Sequence, residues 1–423
     1  MNNQHSDILV IGAGPAGLAA AVAAANSGQR VTIVDDNPAR GGQIWRGEQP
    51  HPSTPEAAEW FGKVEAARVN FTSGARVFAN PAPGRLLAET FDGVCELSYD
   101  KLILATGARE RFLPFPGWTL PGVTGAGGLQ ALVKSGLPIK GRRVVVAGSG
   151  PLLMAVAAYL KKKGAEIPLI AEQAPLRRLL RFSFGLFGEF KKALQALDLK
   201  SELAAVPLLT GCWPVAAHGS DRLTSVTLRR GRRVWNVECD YLACGFHLAP
   251  NLELAALMGC EMTNGCVRVS DDQQTSVKDI YCAGEATGIG GLDLSLVEGQ
   301  IAGFAATGNQ GEAEKLFAAR RKAQHFADLL NQTFALRDEL KTLPQSDTII
   351  CRCEDVTFGQ LQQHNEWRAA KLHTRCGMGP CQGRVCGAAV EFLLGWKHES
   401  VRPPAFPVRL ASLAATAANQ AGS

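Results

Sequence analysis

Gly12-Ala13-Gly14-Pro15-Ala16-Gly17 stands between an apolar run, Ile8 to Ile11, and an Ala-rich stretch that ends near Ala25. This hexapeptide asks for a strand that turns sharply at Gly12, for a backbone open to a close neighbour at Gly14, and for a helix packed tightly on the strand at Gly17. The N-terminus of such a helix attracts phosphate through its unpaired N–H groups and its dipole. The apolar run Ile8 to Ala25 also has the length of a membrane span or signal peptide, but three spaced glycines and a proline interrupt it and no Lys or Arg precedes it. A buried strand followed by a packed helix accounts for it. No other stretch is suited to crossing a bilayer, so any membrane association is expected to be peripheral or through a partner.

Around this turn, β-rich runs (Asp7 to Ile11, Val31 to Asp35, Lys101 to Thr106, Arg143 to Ala147) alternate with Ala-rich helical patterns. The alternation predicts α/β layers on a parallel sheet. From Gly141 the pattern restarts with strand Val144 to Val146, a turn at Gly148-Ser149-Gly150, a helix from Leu152 to Lys163 and a strand from Ile167 to Ala171. The expected fold class is therefore α/β, with two Rossmann-like dinucleotide-binding folds, one inserted in the other, and a small helical C-terminal module. A length of 423 residues suits several domains. Their expected spans are 1–140 with 246–308, then 141–245, a helical connector at 309–346, the cysteine module at 347–400 and a weakly patterned tail at 401–423. A net charge of +5 with 20% charged residues implies no nucleic-acid partner. Seven of the twelve cysteines are scattered singly and nothing at the N-terminus supports export, so a reducing cytoplasm is expected, with at most peripheral attachment to the inner membrane.

Asp35 ends the second strand eighteen residues past Gly17, placed to accept hydrogen bonds from ribose hydroxyls, and Asp36 is a close rival. Three further segments follow: Gly41-Gly42-Gln43, then Ala105-Thr106-Gly107-Ala108 closing a later strand, then Ala283-Gly284-Glu285 closing another. Together these resemble the FAD-binding fold of two-dinucleotide flavoprotein oxidoreductases. In that fold the last acidic residue, usually Asp and here Glu285, bonds the ribityl chain. The second turn keeps Gly148 and Gly150 but has Leu153 where a third glycine is expected. Glu172 favours an unphosphorylated ribose, whereas Arg177, Arg178 and Arg181 favour a phosphorylated one or form a solvated basic face, leaving NAD(P) and ATP both open as the second nucleotide. No Cys follows Gly41-Gly42 and no C-x-x-C occurs, which argues against thiol–disulfide chemistry.

Five cysteines gather near the C-terminus. Cys351-Arg352-Cys353 is followed, after twenty-two intervening residues, by Cys376-Gly-Met-Gly-Pro-Cys381-Gln-Gly-Arg-Val-Cys386. Dense thiolates on Gly-rich turns suit a two-iron cluster, and the C-x-C and C-x4-C spacings depart from the C-x2-C knuckles usual for zinc, the rival metal. Cys381 begins the helical pattern Gln382 to Leu394. Cys386 then lies five residues into the helix and points away, so the expected ligands are Cys351, Cys353, Cys376 and Cys381.

These motifs, with Ala105-Thr-Gly-Ala-Arg109-Glu-Arg111 and Cys351-Arg-Cys-Glu-Asp-Val-Thr357, resemble the α-subunits of bacterial opine oxidases and D-hydroxyproline dehydrogenases and the B-subunit of hydrogen cyanide synthase. The cysteine module is similar to the [2Fe-2S] domain of bacterioferritin-associated ferredoxins, which use C-x2-C for the second ligand pair. The resemblance implies that an amine is oxidised at a second FAD on a partner β-subunit, with this chain passing electrons toward a quinone or another carrier; a small ferredoxin-like γ-subunit sometimes completes the assembly. A self-sufficient NAD(P)H-dependent flavin and iron–sulfur oxidoreductase is the alternative. The dispersed histidines, His247 and His325 among them, form no acid–base or nucleophilic site legible in the sequence.

Overall fold

The computed structural model describes residues 3–421 apart from 48, 50, 51, 53, 186–200 and 398–400. Two compact units emerge: Met1–Arg109, Pro250–Asp328 and Ser400–Ser423 form one, and Glu110–Ala249 with Leu329–Glu399 form the other. The first boundary thus precedes the expected position 140. The reason is strand Val123–Gly125, which pairs in parallel with Tyr241–Phe246 of the second sheet.

In the first unit, strands run in the order Asn70–Thr72, Val31–Val34, Asn3–Ile11, Gly93–Leu104, Arg85–Thr90 and Arg76–Ala82, and Ile280–Cys282 also pairs with Gly93–Leu104. The pairs around Asn3–Ile11 are parallel, while the two pairs joining Arg76–Ala82, Arg85–Thr90 and Gly93–Leu104 are antiparallel. The apolar run read from the sequence becomes the first strand and helix Pro15–Asn26, buried without a break from Ala16 to Ala24. A helix this apolar on every side needs cover all round.

Helix Gly291–Ala306 supplies much of that cover. A Cβ on Gly299 would stand 2.2 Å from the Ala16 carbonyl oxygen, and one on Gly303 would stand 2.3 Å from that of Ala20. The two helices therefore meet backbone to backbone. The tail, expected to be weakly patterned, forms helix Leu410–Ala421, anchored where the Arg409 N–H and the Ser412 hydroxyl donate to Glu89.

The second unit carries a parallel sheet in the order Leu208–Thr210, Ile170–Glu172, Val144–Ser149, Tyr241–Phe246 and Val123–Gly125, with an antiparallel sheet of Cys212–His218, Ser225–Arg230 and Arg233–Glu238. The cysteine module belongs to this unit. Its short hairpin Ile349–Cys351 with Val356–Thr357 is tied to the nucleotide-type fold by the Trp118 indole N–H, which donates to the Ile349 carbonyl at 2.6 Å. Among the described residues, no helix is long and apolar enough to cross a membrane.

Gly303→Val forces a side chain into the Ala20 carbonyl and is expected to cost about 1–3 kcal/mol. Gly62→Val, at an exposed helical position with nothing within 4 Å, serves as the control. Thermal melting should fall clearly for the first and little for the second; equal melting temperatures would contradict the helix contact.

Candidate cofactor sites

The first glycine turn is built by exclusion. Gly12 has φ +109°, and a Cβ there would lie 2.2 Å from the Ala105 carbonyl oxygen; a Cβ on Gly17 would lie 1.8 Å from that of Gly12. No larger residue allows the strand end at Ala105, the turn and the helix to meet this closely. Gly14 is the extended residue before Pro15 and leads into a helix whose first-turn N–H groups have no side-chain cap. Gly41 donates its N–H to the Ala13 carbonyl at 2.8 Å, and Gly42, with φ +57°, brings its α-carbon against Gly14. Gln43 follows, accepting from Arg46 at 3.1 Å.

The two acidic candidates separate. Asp35 is buried beneath the turn, where one carboxylate oxygen accepts the Ala13 N–H at 2.6 Å and the other accepts the Asn37 N–H and side-chain amide, both at 2.7 Å. Asp36 is exposed and lies 3.5 Å from Arg76. At the strand end, the Thr106 hydroxyl donates to the Asn251 carbonyl at 2.7 Å, Asn251 returns a side-chain N–H to the Thr106 carbonyl, and the Asn251 N–H donates to Gly107.

The fourth segment approaches the same turn. A Cβ on Gly284 would stand 2.8 Å from that of Ala16. Glu285 accepts the Gly291 N–H with Oε1 at 2.8 Å, while its Oε2 is buried with no hydrogen-bond partner among the described residues. Burial pushes its carboxyl up. A buried acceptor left open needs a donor, and the hydroxyls of a ribityl chain are donors, so the residues present fit a flavin.

Glu298 was missed by the sequence analysis, although a lone acid in the apolar run Leu294 to Gly299 is a visible signal. It accepts the Gly284 N–H at 2.9 Å and the Thr287 hydroxyl at 2.8 Å. Burial pushes it up to about 7. Asn251 left no such signal, because its partners are 145 residues away in sequence.

The second turn does not repeat the first. Gly148 is again forced, since a Cβ would lie 1.8 Å from the Gly245 carbonyl oxygen. Gly150, however, has φ +106°, and the helix starts from Pro151 in the αR region, which gives buried Leu153 room where Gly17 had none. Glu172 is 4% exposed, accepts the Gly150 and Ala174 N–H groups at 2.8 and 2.7 Å, and is pushed up to about 7 by burial. Three donors beside this turn bond the chain's own backbone. The Ser149 hydroxyl and the Gln173 amide donate to the Phe334 carbonyl at 2.9 and 3.3 Å, and Arg178 donates to that of Ala335 at 2.9 Å.

In the cysteine module the sulfurs of Cys351, Cys376 and Cys386 all lie within 4.8 Å of one another. The Cys353 sulfur meets the thiol and backbone N–H of Cys381. All five cysteines thus fall into one group of three and one of two. Cys386 does not point away from the others, because the helix starts at Cys386 itself rather than at Gln382. Positive φ at Gln382 and Gly383 delays it. The neighbouring thiols of Cys376 and Cys386 hold Cys351 well below an ordinary thiol, while they are themselves raised by it and by burial. Backbone N–H groups of Gly377 and Glu354 also donate to the Cys351 sulfur. Glycine again permits the approach, as a Cβ on Gly379 would lie 2.3 Å from that of Cys353. Thiolate donors with N–H···S support fit an iron–sulfur cluster. Elsewhere burial pushes Cys212 up to about 11 and Cys239 up to about 12, which leaves them inert as nucleophiles.

Residues 6–311 match the pyridine nucleotide-disulphide oxidoreductase family. The chain belongs to this family. It is 30% identical to the hydrogen cyanide synthase component HcnB of Pseudomonas protegens, covering 89% of both chains. It is 31% identical to the opine oxidase A-subunit of Rhizobium meliloti, covering 96% of this chain and 98% of the relative. The relationship read from the motifs thus extends over nearly the whole chain. Among solved structures, L-proline dehydrogenase from P. horikoshii superposes with a TM-score of 0.71 at 19% identity, covering 97% of this chain and 80% of that one. Thioredoxin reductase from T. acidophilum superposes with a TM-score of 0.56 at 19% identity, over 72% of this chain and 98% of that one. The fold is that of a two-dinucleotide flavoprotein, and the protein is an FAD-dependent oxidoreductase related to HcnB and to the opine oxidase A-subunit.

In this flavoprotein the Glu298 carboxyl is raised in the folded state, so the folded state binds more protons than the unfolded chain between an ordinary carboxyl value and about 7. Its contribution is therefore lost as pH rises through that window, by about 3 kcal/mol at most. Glu298→Gln, which keeps an acceptor for the Gly284 N–H, should flatten that part of the dependence of melting temperature on pH between 5 and 8. An unaltered slope would contradict the assignment.

Proposed function

We propose that this chain is the FAD- and [2Fe-2S]-carrying electron-transfer subunit of a heteromeric dye-linked dehydrogenase. The donor is a secondary amine or amino acid, such as an opine, D-hydroxyproline or glycine, and the acceptor is not a nicotinamide. Substrate oxidation belongs to a second FAD on a partner β-subunit, with a small ferredoxin-like γ-subunit in some assemblies. The observation that carries the reading is one chain holding both a flavin cradle with an open buried acceptor, Glu285 Oε2, and five converging thiols. Two curated relatives that are themselves described as subunits support the partner.

FAD supplies two-electron chemistry and a two-iron cluster supplies single-electron transfer. Gly12, Gly14, Pro15, Ala16 and Gly17 present the helix N-terminus to the pyrophosphate, Asp35 or Asp36 serves the ribose, and Glu285 serves the ribityl chain. Gly42, Gln43, Ala105, Thr106, Gly107 and Gly284 close around the same cofactor. Cys351, Cys353, Cys376 and Cys381 hold the metal, with Cys386 competing for the place of Cys376.

A self-sufficient NAD(P)H enzyme is the weaker reading, because Ser149, Gln173 and Arg178 are engaged by the chain's own carbonyls. NAD(P) or ATP at Gly148 and Gly150 is not needed for the proposed reaction. The expected setting is the cytoplasm or the inner face of the inner membrane.

Co-expression with the genomic neighbours, followed by anaerobic visible spectroscopy, tests the proposal. Opines, D-hydroxyproline or glycine should bleach the flavin only when the partner is present, and NADH and NADPH should not. Rapid bleaching of the isolated chain by either nicotinamide would overturn it.

A further inference from the structure

The module has five cysteines, whereas a two-iron cluster needs four ligands. Resting on the cluster reading above, we propose that Cys376 and Cys386 are interchangeable ligands: either thiol joins Cys351 on one iron, while Cys353 and Cys381 serve the other.

The grouping of the sulfurs carries this. Metal–thiolate bonds are about 2.3 Å long, which puts two thiolates on one ion at about 4 Å from each other. Each pair within Cys351, Cys376 and Cys386 lies within 4.8 Å, so each pair is close to the separation that one metal imposes. Cys353 and Cys381 in turn interact with each other. One iron thus has two candidate ligands and the other has three.

The two competitors arrive from different directions on different local supports. Cys376 follows Arg375, whose left-handed backbone at φ +64° ends helix Trp367–Thr374, and its N–H donates to the Thr374 hydroxyl at 3.2 Å. Cys386 is the first residue of helix Cys386–Leu394. Both are buried at 1% exposure or less, beside the equally buried Cys351. Loss of one thiol leaves the other already desolvated and within reach, needing only to shed its proton to bind.

The test uses the full chain purified without oxygen, as wild type, Cys376→Ala, Cys386→Ala and the double variant. Iron, acid-labile sulfide and the low-temperature paramagnetic spectrum after dithionite reduction are measured, with circular dichroism as the folding control. Each single variant should retain at least half of the wild-type iron and sulfide, with shifted g-values in the one that loses the resident ligand. The double variant should fall below a tenth. If either natively folded single variant loses its iron as completely as the double, interchangeability is overturned; should an alanine variant not fold, valine at the same position is read in its place. Wild-type protein that holds zinc without sulfide would instead overturn the cluster reading itself, and this proposal with it.

Discussion

Direct contact between backbones, possible only where a Cβ is missing, is the constraint on which the flavin-binding unit depends. Carbonyl oxygens of Ala105, Gly12, Ala16 and Ala20 stand where side chains on Gly12, Gly17, Gly299 and Gly303 would begin. These contacts draw the strand end at Ala105, the first helix and helix Gly291–Ala306 around one turn. The helix N-terminus, buried Asp35 and the Gly284-Glu285 segment then converge without long side chains bridging the gaps. Among the described residues, Glu285 leaves one buried oxygen without a partner there.

The cysteine module uses the same device for a different end. Gly377 and Gly379 have room for no side chain beside Trp367 and Cys353, so the loop wraps closely on its own sulfurs. Three buried thiols lie within 4.8 Å of one another, and neighbouring thiols and backbone N–H groups hold Cys351 below an ordinary thiol. Sulfurs gathered in this way suit a soft cation, and the Trp118 indole fixes their hairpin to the second nucleotide-type fold.

The first glycine turn was legible because strand, glycines and helix follow one another within twenty residues, and the family relationship was legible because its motifs run from Gly12 to Arg384. The rest was hidden for identifiable reasons. Cys386 was set pointing away because helical periodicity continues through Gln382, whereas left-handed backbone at Gln382 and Gly383 postpones the helix. The engagement of the Ser149 hydroxyl, the Gln173 amide N–H and Arg178 by the carbonyls of residues 334–335 depends on contacts across more than 150 positions, which no local pattern encodes. Leu153 was a true signal that the second turn differs. Its consequence, a helix starting from αR Pro151 instead of an extended glycine, needed coordinates.

Whether one chain carries both a flavin and a redox metal pair is decided by simultaneous determination of FAD, iron, acid-labile sulfide and zinc in oxygen-protected, full-length protein. About one FAD, two irons and two sulfides per chain are expected. Stoichiometric zinc without iron or sulfide, or a chain lacking flavin, would contradict this.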